Sequence, residues 1–115
     1  MEGERRNHNR RKFGYYMPMF DNASQKILGH LSDISARGFK LDSQKGLALN
    51  TVYEMRLELT PEFSTRLNIT FFARVAWSRP VPYALAEFEN GFQVTRIKPE
   101  DLAIFERIVE KYGVG

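Results

Sequence analysis

Two stretches of the chain alternate apolar and polar residues with the period of two that a half-buried β-strand requires. Tyr53–Leu59 alternates without a break, with apolar residues on one face and charged residues on the other. Leu67–Trp77 repeats the pattern and keeps Leu67 and Trp77 in the apolar phase. Because this second stretch is long for one strand, we expect it to coil strongly or to contain a bulge. Both patterns favour antiparallel strands with one solvated face.

Shorter apolar runs predict the other strands. Phe13–Phe20 is rich in aromatic residues and methionine, and Pro18 indicates an edge position or a bulge. These side chains could stack on bases, although packing in a core suits them better. Ile27–Leu31 and Gly38–Leu41 flank a predicted bend over Asp33–Arg37.

Polar residues separate these runs. Asp21–Ser24 is predicted to be a turn, and Asp42–Thr51 has the polar and glycine-containing composition of a loop. Tyr83–Val94 is a less regular strand, in which Asn90-Gly91 predicts a kink.

The pattern changes to a helical period near the carboxyl terminus. Pro99 suits a first helical position, Glu100 and Asp101 favour the positive end of the helix dipole, and Gly113 is placed to end the helix. One apolar face is formed by Leu102, Phe105, Ile108, Val109 and Tyr112. We therefore predict an all-β fold with one C-terminal helix, in which a small six-stranded antiparallel β-barrel is capped by an α-helix.

Length and composition predict one soluble domain over residues 1–115: a mobile basic arm (1–12), the barrel (13–95) and the helix (99–112). Cysteine is absent, which excludes disulfides and thiol nucleophiles and is consistent with a cytoplasmic protein. No apolar run approaches the ~20 residues that a membrane-spanning helix needs, so we expect no membrane insertion.

The net charge of +3 resides in the predicted arm. Five basic and two acidic residues precede position 13, and the remaining chain holds twelve of each sign. A guanidinium group binds phosphate through two hydrogen bonds and also stacks on flat rings, so Arg6 and Arg10 could clamp a ligand that is both phosphorylated and aromatic. A solvated basic tail without a fixed partner is the alternative.

Asp33, Ser35 and Gly38 are a second candidate cluster. The Asp33 carboxylate could accept two hydrogen bonds from a guanine edge or from an arginine, Ser35 can donate and accept, and Gly38 permits close backbone approach. The alternative is an ordinary turn whose side chains bond only to their own backbone.

The order Arg6-x-x-x-Arg10, then 22 intervening residues, then Asp33-x-Ser35-x-x-Gly38 resembles the paired signature of the PilZ domain family, receptors for the bacterial second messenger cyclic di-GMP. The resemblance continues through Ala73-Arg-Val-Ala-Trp77, Gly91-Phe-Gln-Val94 and Pro99-Glu-Asp101. The chain departs from the family at Ala73, where glycine is common, and at Lys98, where a capping serine is frequent.

The resemblance implies a PilZ-like split barrel that binds cyclic di-GMP as a ligand, with no other cofactor. It implies a ligand site formed by Arg5, Arg6, Arg10, Asp33, Ser35 and Gly38. Arg5, just before the first motif arginine, resembles the pattern that accepts a stacked ligand dimer; Arg11 and Arg37 are secondary candidates. The remaining partner would be an unidentified effector protein in trans.

Catalysis and metal binding are not expected. His8 and His30 lack a partner at metal-ligand spacing, Asp33 and Ser35 lack a base at a motif spacing, and no glycine loop cradles phosphate. Two other functions remain open: a PilZ-like interaction module in motility or pilus assembly that binds no nucleotide, and a small barrel that binds single-stranded nucleic acid. Nucleic acid is the less expected partner.

Overall fold

The computed structural model describes residues 17–82 and 87–113. Six antiparallel strands close into a barrel in the order β1-β2-β3-β6-β5-β4, followed by one helix. The elements are β1 (Pro18–Asp21), β2 (Lys26–Ile34), β3 (Gly38–Ser43), β4 (Val52–Glu58), β5 (Asn68–Pro80), β6 (Phe88–Ile97) and α1 (Pro99–Tyr112). The predicted fold class is confirmed.

The barrel core follows the period of two in the sequence. Met55 and Leu57 of β4 are fully buried, as are Ile69 and Val75 of β5, and Phe71 is 2% exposed. Since alternate residues of a strand face opposite sides, the charged residues between them face solvent. The other buried core residues are Met17, Met19, Leu31, Ile34, Phe39, Leu41, Phe63, Ala73, Phe92, Ile104, Phe105, Ile108 and Tyr112.

Several predicted boundaries differ from the structure. The last strand, predicted over Tyr83–Val94, runs from Phe88 to Ile97, and residues 83–86 of the prediction lie outside the described residues. β1 begins at Pro18, its register shifts between Met19 and Phe20, and residues 13–16 of the predicted first strand lie outside the described residues. Asp33 belongs to β2 rather than to the bend, since it pairs with Lys40. The predicted loop from Asp42 begins two residues later, because β3 continues through Ser43 on β6.

β5 contains the predicted bulge, but the apolar phase does not extend to both ends. The register with β6 shifts between Val75 and Trp77, and the inserted residue turns the Trp77 side chain to the outer face. Trp77 is 37% exposed and Leu67, which precedes the strand, is 81% exposed. The prediction that these two residues share the buried face was therefore wrong.

At Asn90-Gly91, where the sequence predicts a kink, the strand is not interrupted, since β6 runs through both residues. Asn90 is fully buried, and its amide nitrogen donates to the carbonyl of Leu41 (3.2 Å) and to Oγ of Ser43 (2.8 Å). Ser78 Oγ donates to the amide oxygen of Asn90 at 2.7 Å. A buried amide with these partners stabilises a continuous strand rather than a break.

Helix α1 packs against β2 and β5 and covers one side of the core. Pro99 and the acidic residues Glu100 and Asp101 occupy the first turn, while Lys98 makes no side-chain cap hydrogen bond. Gly113 ends the helix with an extended backbone, and its N–H donates to the carbonyl of Val109 at 2.6 Å. Among the described residues, no helix has the length and apolar character needed to cross a membrane.

Candidate ligand-binding site

The Asp33–Gly38 motif forms the tight connection between β2 and β3. The Ser35 N–H donates to the carbonyl of Gly38 at 2.8 Å, and the Ser35 hydroxyl lies 3.4 Å from the same oxygen. Asp33 Oδ1 accepts the N–H of Ile34 at 3.1 Å. These side chains therefore do bond to local backbone, as in an ordinary turn, but they also line a pocket.

Gly38 is required by the neighbouring strand. It lies opposite Gln93 of β6, and a Cβ atom there would overlap the carbonyl oxygen of Phe92. The N–H of Val94 donates to the carbonyl of Arg37 at 3.0 Å, so the turn is fastened to β6. The motif glycine thus fixes the position of Asp33 and Ser35 relative to β6.

A pocket of about 320 Å³ opens at this turn, within the size range of small-molecule sites. It brings together the three motif residues that the structure describes and one predicted secondary candidate, Arg37. Its lining consists of Asp33, Ile34, Ser35, Arg37, Gly38, Phe39, Lys40, Ala76, Trp77, Gly91, Phe92 and Gln93.

Trp77 gives the pocket an exposed aromatic ring, which the motif analysis did not assign to the site. The ring lies over Gly91, where a Cβ atom would overlap the indole. The Arg79 guanidinium lies 5.0 Å from the ring centroid. The resemblance of Ala73–Trp77 to a family strand was the available signal, but the predicted phase placed this ring in the core.

Charged side chains lie on β3, β5 and β6 near the Trp77 ring. Glu89 pairs with Arg79 (3.0 Å) and, at 4.0 Å, with Lys40, so it links cations on both neighbouring strands. Further along the same two strands, Arg74 of β5 hydrogen-bonds to the side chain of Gln93 on β6. Arg79, the arginine that lies over the ring, is therefore paired with a carboxylate.

The arginines of the predicted site lie outside the described residues: Arg5, Arg6 and Arg10, together with the secondary candidate Arg11. The described chain begins at Met17, whose carbonyl accepts the N–H of Leu31 at 2.9 Å. Leu31 precedes Asp33 by two residues in β2. The chain therefore enters the barrel beside the strand that ends in the motif.

Within residues 17–82 and 87–113, no three histidine or acidic residues are grouped so that they could hold a metal ion.

The pKa of one carboxyl group outside the pocket, that of Asp42, is raised. Burial is the largest cause, and the nearby Glu89 and Glu87 raise the pKa further, whereas a hydrogen bond from Ser32 and the charge of Lys40 lower it. This carboxyl lies opposite His30 and Glu89 on the outer face of the barrel.

A closed six-stranded barrel with a helix on one side and a pocket at the β2–β3 turn defines a small binding module. The sequence model of the PilZ domain family matches residues 4–111, and the chain belongs to that family. The matched range includes both halves of the arginine and Asp-x-Ser-x-x-Gly signature. PilZ domains are binding modules rather than enzymes.

Solved structures share the fold, including the following two. One is MrkH of K. pneumonia in its apo state, with a TM-score of 0.63 and 16% identity over 84% of this chain. The other is the Bacillus subtilis inhibitor of motility MotI/DgrA, with a TM-score of 0.62 and 17% identity over 83% of this chain. This chain covers 46% and 44% of those two chains, respectively. No curated protein matches this chain.

Proposed function

We propose that this protein is a receptor that binds cyclic di-GMP between the basic residues of its amino-terminal segment and the pocket at the β2–β3 turn. The observation that carries the proposal is the pocket itself, because Asp33, Ser35 and Gly38 line it together with an exposed tryptophan. Hydrogen-bonding groups beside an aromatic ring suit a purine base.

The chain is long enough for the proposed closure. Arg10 precedes Met17 by seven residues, which span up to about 24 Å when extended. Met17 is hydrogen-bonded beside the strand that carries Asp33, so Arg10 and Arg6 need not cross the molecule. An arm starting on the far side of the barrel would have opposed the proposal.

Each residue type has a role that fits its chemistry. Arg6 and Arg10 would contact phosphate and guanine through forked hydrogen bonds and stacking, and Asp33 and Ser35 would receive the guanine edge. Trp77 would stack on a base. Arg5 is proposed to contact a second, stacked ligand molecule.

Binding would act through a change in conformation. Ordering the arm costs on the order of 1 kcal/mol per residue, so several charge-assisted contacts are needed to give micromolar affinity. The output is proposed to be a population shift from an open to a closed arm, read by an effector protein in trans in the bacterial cytoplasm. The likeness to an inhibitor of motility makes motility the first process to test.

Isothermal titration of the intact protein with cyclic di-GMP tests the proposal. We expect micromolar binding that falls by at least about tenfold in Arg6→Ala and in Asp33→Ala, which corresponds to ~1.4 kcal/mol. Arg96→Ala and Glu106→Gln are matched controls, since both residues are exposed and lie outside the pocket. These two variants should bind like the unmodified protein.

Neither of the two alternatives predicts binding of cyclic di-GMP in this titration. A flat titration of the unmodified protein would leave an interaction module that needs no nucleotide, or a nucleic-acid-binding barrel. The barrel would instead bind oligonucleotides with an affinity that rises with their length and falls steeply with salt, because neutralised phosphates release counterions.

A further inference from the structure

A second surface lies where β2 and β3 separate. Their pairing ends at His30 and Asp42, whereas β2 continues for four more residues, to Lys26. Along that stretch β2 pairs with β1 on its other side. Gly29 still lies against the carbonyl of Asp42, but no strand of the described chain adjoins Lys26–Leu28 on the β3 side. An edge of this kind can accept an added strand.

The separation has an identifiable cause in the buried Asn90 network. Asn90 holds Ser43 at the end of β3, and Ser78 Oγ, which donates to Asn90, accepts the N–H of Leu47 at 3.3 Å. The chain after β3 is thereby drawn toward β5 and β6, and Gly46 lies against the ring of Phe88. The chain after β3 therefore cannot also run alongside β2.

A groove of about 470 Å³ occupies the gap. Its apolar side consists of Leu28 and Leu47, both half-buried against the core, and Ile27, which is 49% exposed. The remaining lining residues are Gly29, His30, Asp42, Ser43, Gln44, Lys45 and Glu87. Within the described residues, the groove shares no lining residue with the ligand pocket.

The charges in the groove favour a cationic occupant. Asp42 and Glu87 both line it, and burial, together with the nearby carboxylates Glu89 and Glu87, raises the pKa of Asp42. Lys45 is the one cation among the described lining residues, and its side chain is exposed. A basic group entering beside Asp42 would gain a charge-assisted hydrogen bond.

We propose that this groove binds an extended segment of a partner protein that alternates apolar and basic residues. The segment would pair through its backbone with the β2 edge at Lys26–Leu28. Its apolar side chains would contact Ile27, Leu28 and Leu47, and its basic side chains would face Asp42 and Glu87. Backbone pairing supplies affinity, and the alternate side chains supply specificity. This surface is separate from the nucleotide site, so it stands or falls independently of cyclic di-GMP binding.

The test uses the full chain without nucleotide and three short synthetic peptides. The first alternates lysine and valine, the second alternates glutamate and valine, and the third is the lysine peptide with N-methyl groups on alternate amides, which removes backbone donors. Amide chemical shifts of the protein locate binding, and their titration gives the affinity. The protein variant is the pair Asp42→Asn and Glu87→Gln. Its matched control is Glu106→Gln with Glu110→Gln, which removes two exposed charges from α1.

We expect saturable binding of the lysine peptide, with shifts at residues 26–30 and 42–47. The affinity should fall by about tenfold in the Asp42/Glu87 pair and not in the α1 control pair, and the glutamate and N-methylated peptides should bind at least about tenfold more weakly. The proposal would be overturned if the lysine peptide showed no saturable binding or if it shifted amides around Trp77 instead. It would also be overturned if the Asp42/Glu87 variant bound the peptide as tightly as the unmodified protein. If the lysine peptide bound only to the variant with Tyr83→Ala and Leu85→Ala, the occupant of the groove would be the chain's own segment that contains these residues, and the proposal would be overturned. The same shifts on raising protein concentration alone would overturn it in favour of a second copy.

Discussion

Within one motif, Gly38 has a different physical role from Asp33 and Ser35. Asp33 and Ser35 line the pocket with polar side chains, whereas Gly38 lets β3 lie against the carbonyl of Phe92. Substitution at Gly38 should therefore disturb folding as well as binding, and substitution at the other two should affect binding with less effect on folding.

Gly38→Ala is expected to lower the free energy of unfolding by about 1–3 kcal/mol, because the added methyl overlaps backbone rather than a side chain that could move. Ser35→Ala should cost less than about 1 kcal/mol, since its hydroxyl contact to Gly38 is long. Urea unfolding measures both. Equal losses in the two variants would contradict this separation of roles.

Gly91 determines where the Trp77 ring lies. In Gly91→Ala the added methyl group would overlap the indole, so the Trp77 ring must move away from its position over residue 91. We expect cyclic di-GMP affinity to fall by at least about tenfold, as in Trp77→Ala, because a stacked aromatic contact contributes on the order of 1 kcal/mol or more. Tryptophan fluorescence and isothermal titration provide the two readouts. Unchanged affinity with a shifted emission maximum would show that the ring does not contact the ligand.

Asp42 gives a pH-dependent contribution of known sign. Burial raises its pKa above the ordinary value of 3.8, so the folded state holds this proton more tightly than the unfolded chain. The contribution of Asp42 to the free energy of unfolding should therefore fall as the pH rises through and above 3.8. Asp42→Asn should remove this decline, so at neutral pH the variant should be more stable than the unmodified protein. We expect a gain of less than about 1 kcal/mol, because the residue is partly exposed. Urea unfolding across this pH range would contradict the assignment if the variant kept the full slope.

At the scale of elements, α1 is joined to the segment between β4 and β5 by three side chains. Arg66 lies 2.7 Å from Asp101 in the first turn, and Arg107 donates to the carbonyl of Phe63 at 2.9 Å. Lys111 pairs with Glu62 at 2.9 Å. These contacts run along the helix and hold the segment over the core.

Arg66→Ala should destabilise the protein more than Asp101→Asn. The Asp101 side chain is 3% exposed, so removal of its partner leaves a buried carboxylate without compensation, whereas the amide carries no charge. We expect about 2 kcal/mol for Arg66→Ala and less than about 1 kcal/mol for Lys111→Ala, whose pair with Glu62 is more exposed. Thermal and urea unfolding compare the variants. A smaller loss for Arg66→Ala than for Asp101→Asn would contradict the proposed imbalance.

The period of two predicted the strands well where no bulge intervenes. Met55 and Leu57 lie in the core as their alternation indicates. Trp77 does not, because one inserted residue reverses the face of everything that follows, and the register between β5 and β6 that reveals the insertion is not a local property of either strand.

Only the part of the candidate site that is local in sequence could be predicted. Asp33, Ser35 and Gly38 lie within six consecutive residues, so a motif identifies them together. Trp77 and Lys40 join them only through pairing across β3, β6 and β5, which places Lys40, Gly91 and Trp77 in one row. Long-range register was the missing information.

At the scale of the whole molecule, the charge is divided unevenly. Residues 1–12 carry five basic and two acidic groups, and the rest of the chain carries twelve of each. The body is therefore formally neutral, and the net positive charge of the chain lies in its first twelve residues. Since the core described above begins at Met17, stability and ligand affinity should be separable.

Deletion of residues 1–12 tests that separation. The described core loses no residue, so we expect the free energy of unfolding to change by less than about 0.5 kcal/mol. Affinity for cyclic di-GMP should fall by about 100-fold or more, equivalent to ~2.7 kcal/mol, because both motif arginines are removed. Arg6→Lys with Arg10→Lys should give an intermediate loss, since lysine keeps the charge but provides neither the planar fork nor stacking. Titration calorimetry and urea unfolding on the same three proteins decide the matter: full affinity in the truncated chain would place the ligand's anionic groups on the barrel alone, and a large loss of stability would make the first twelve residues part of the folded body.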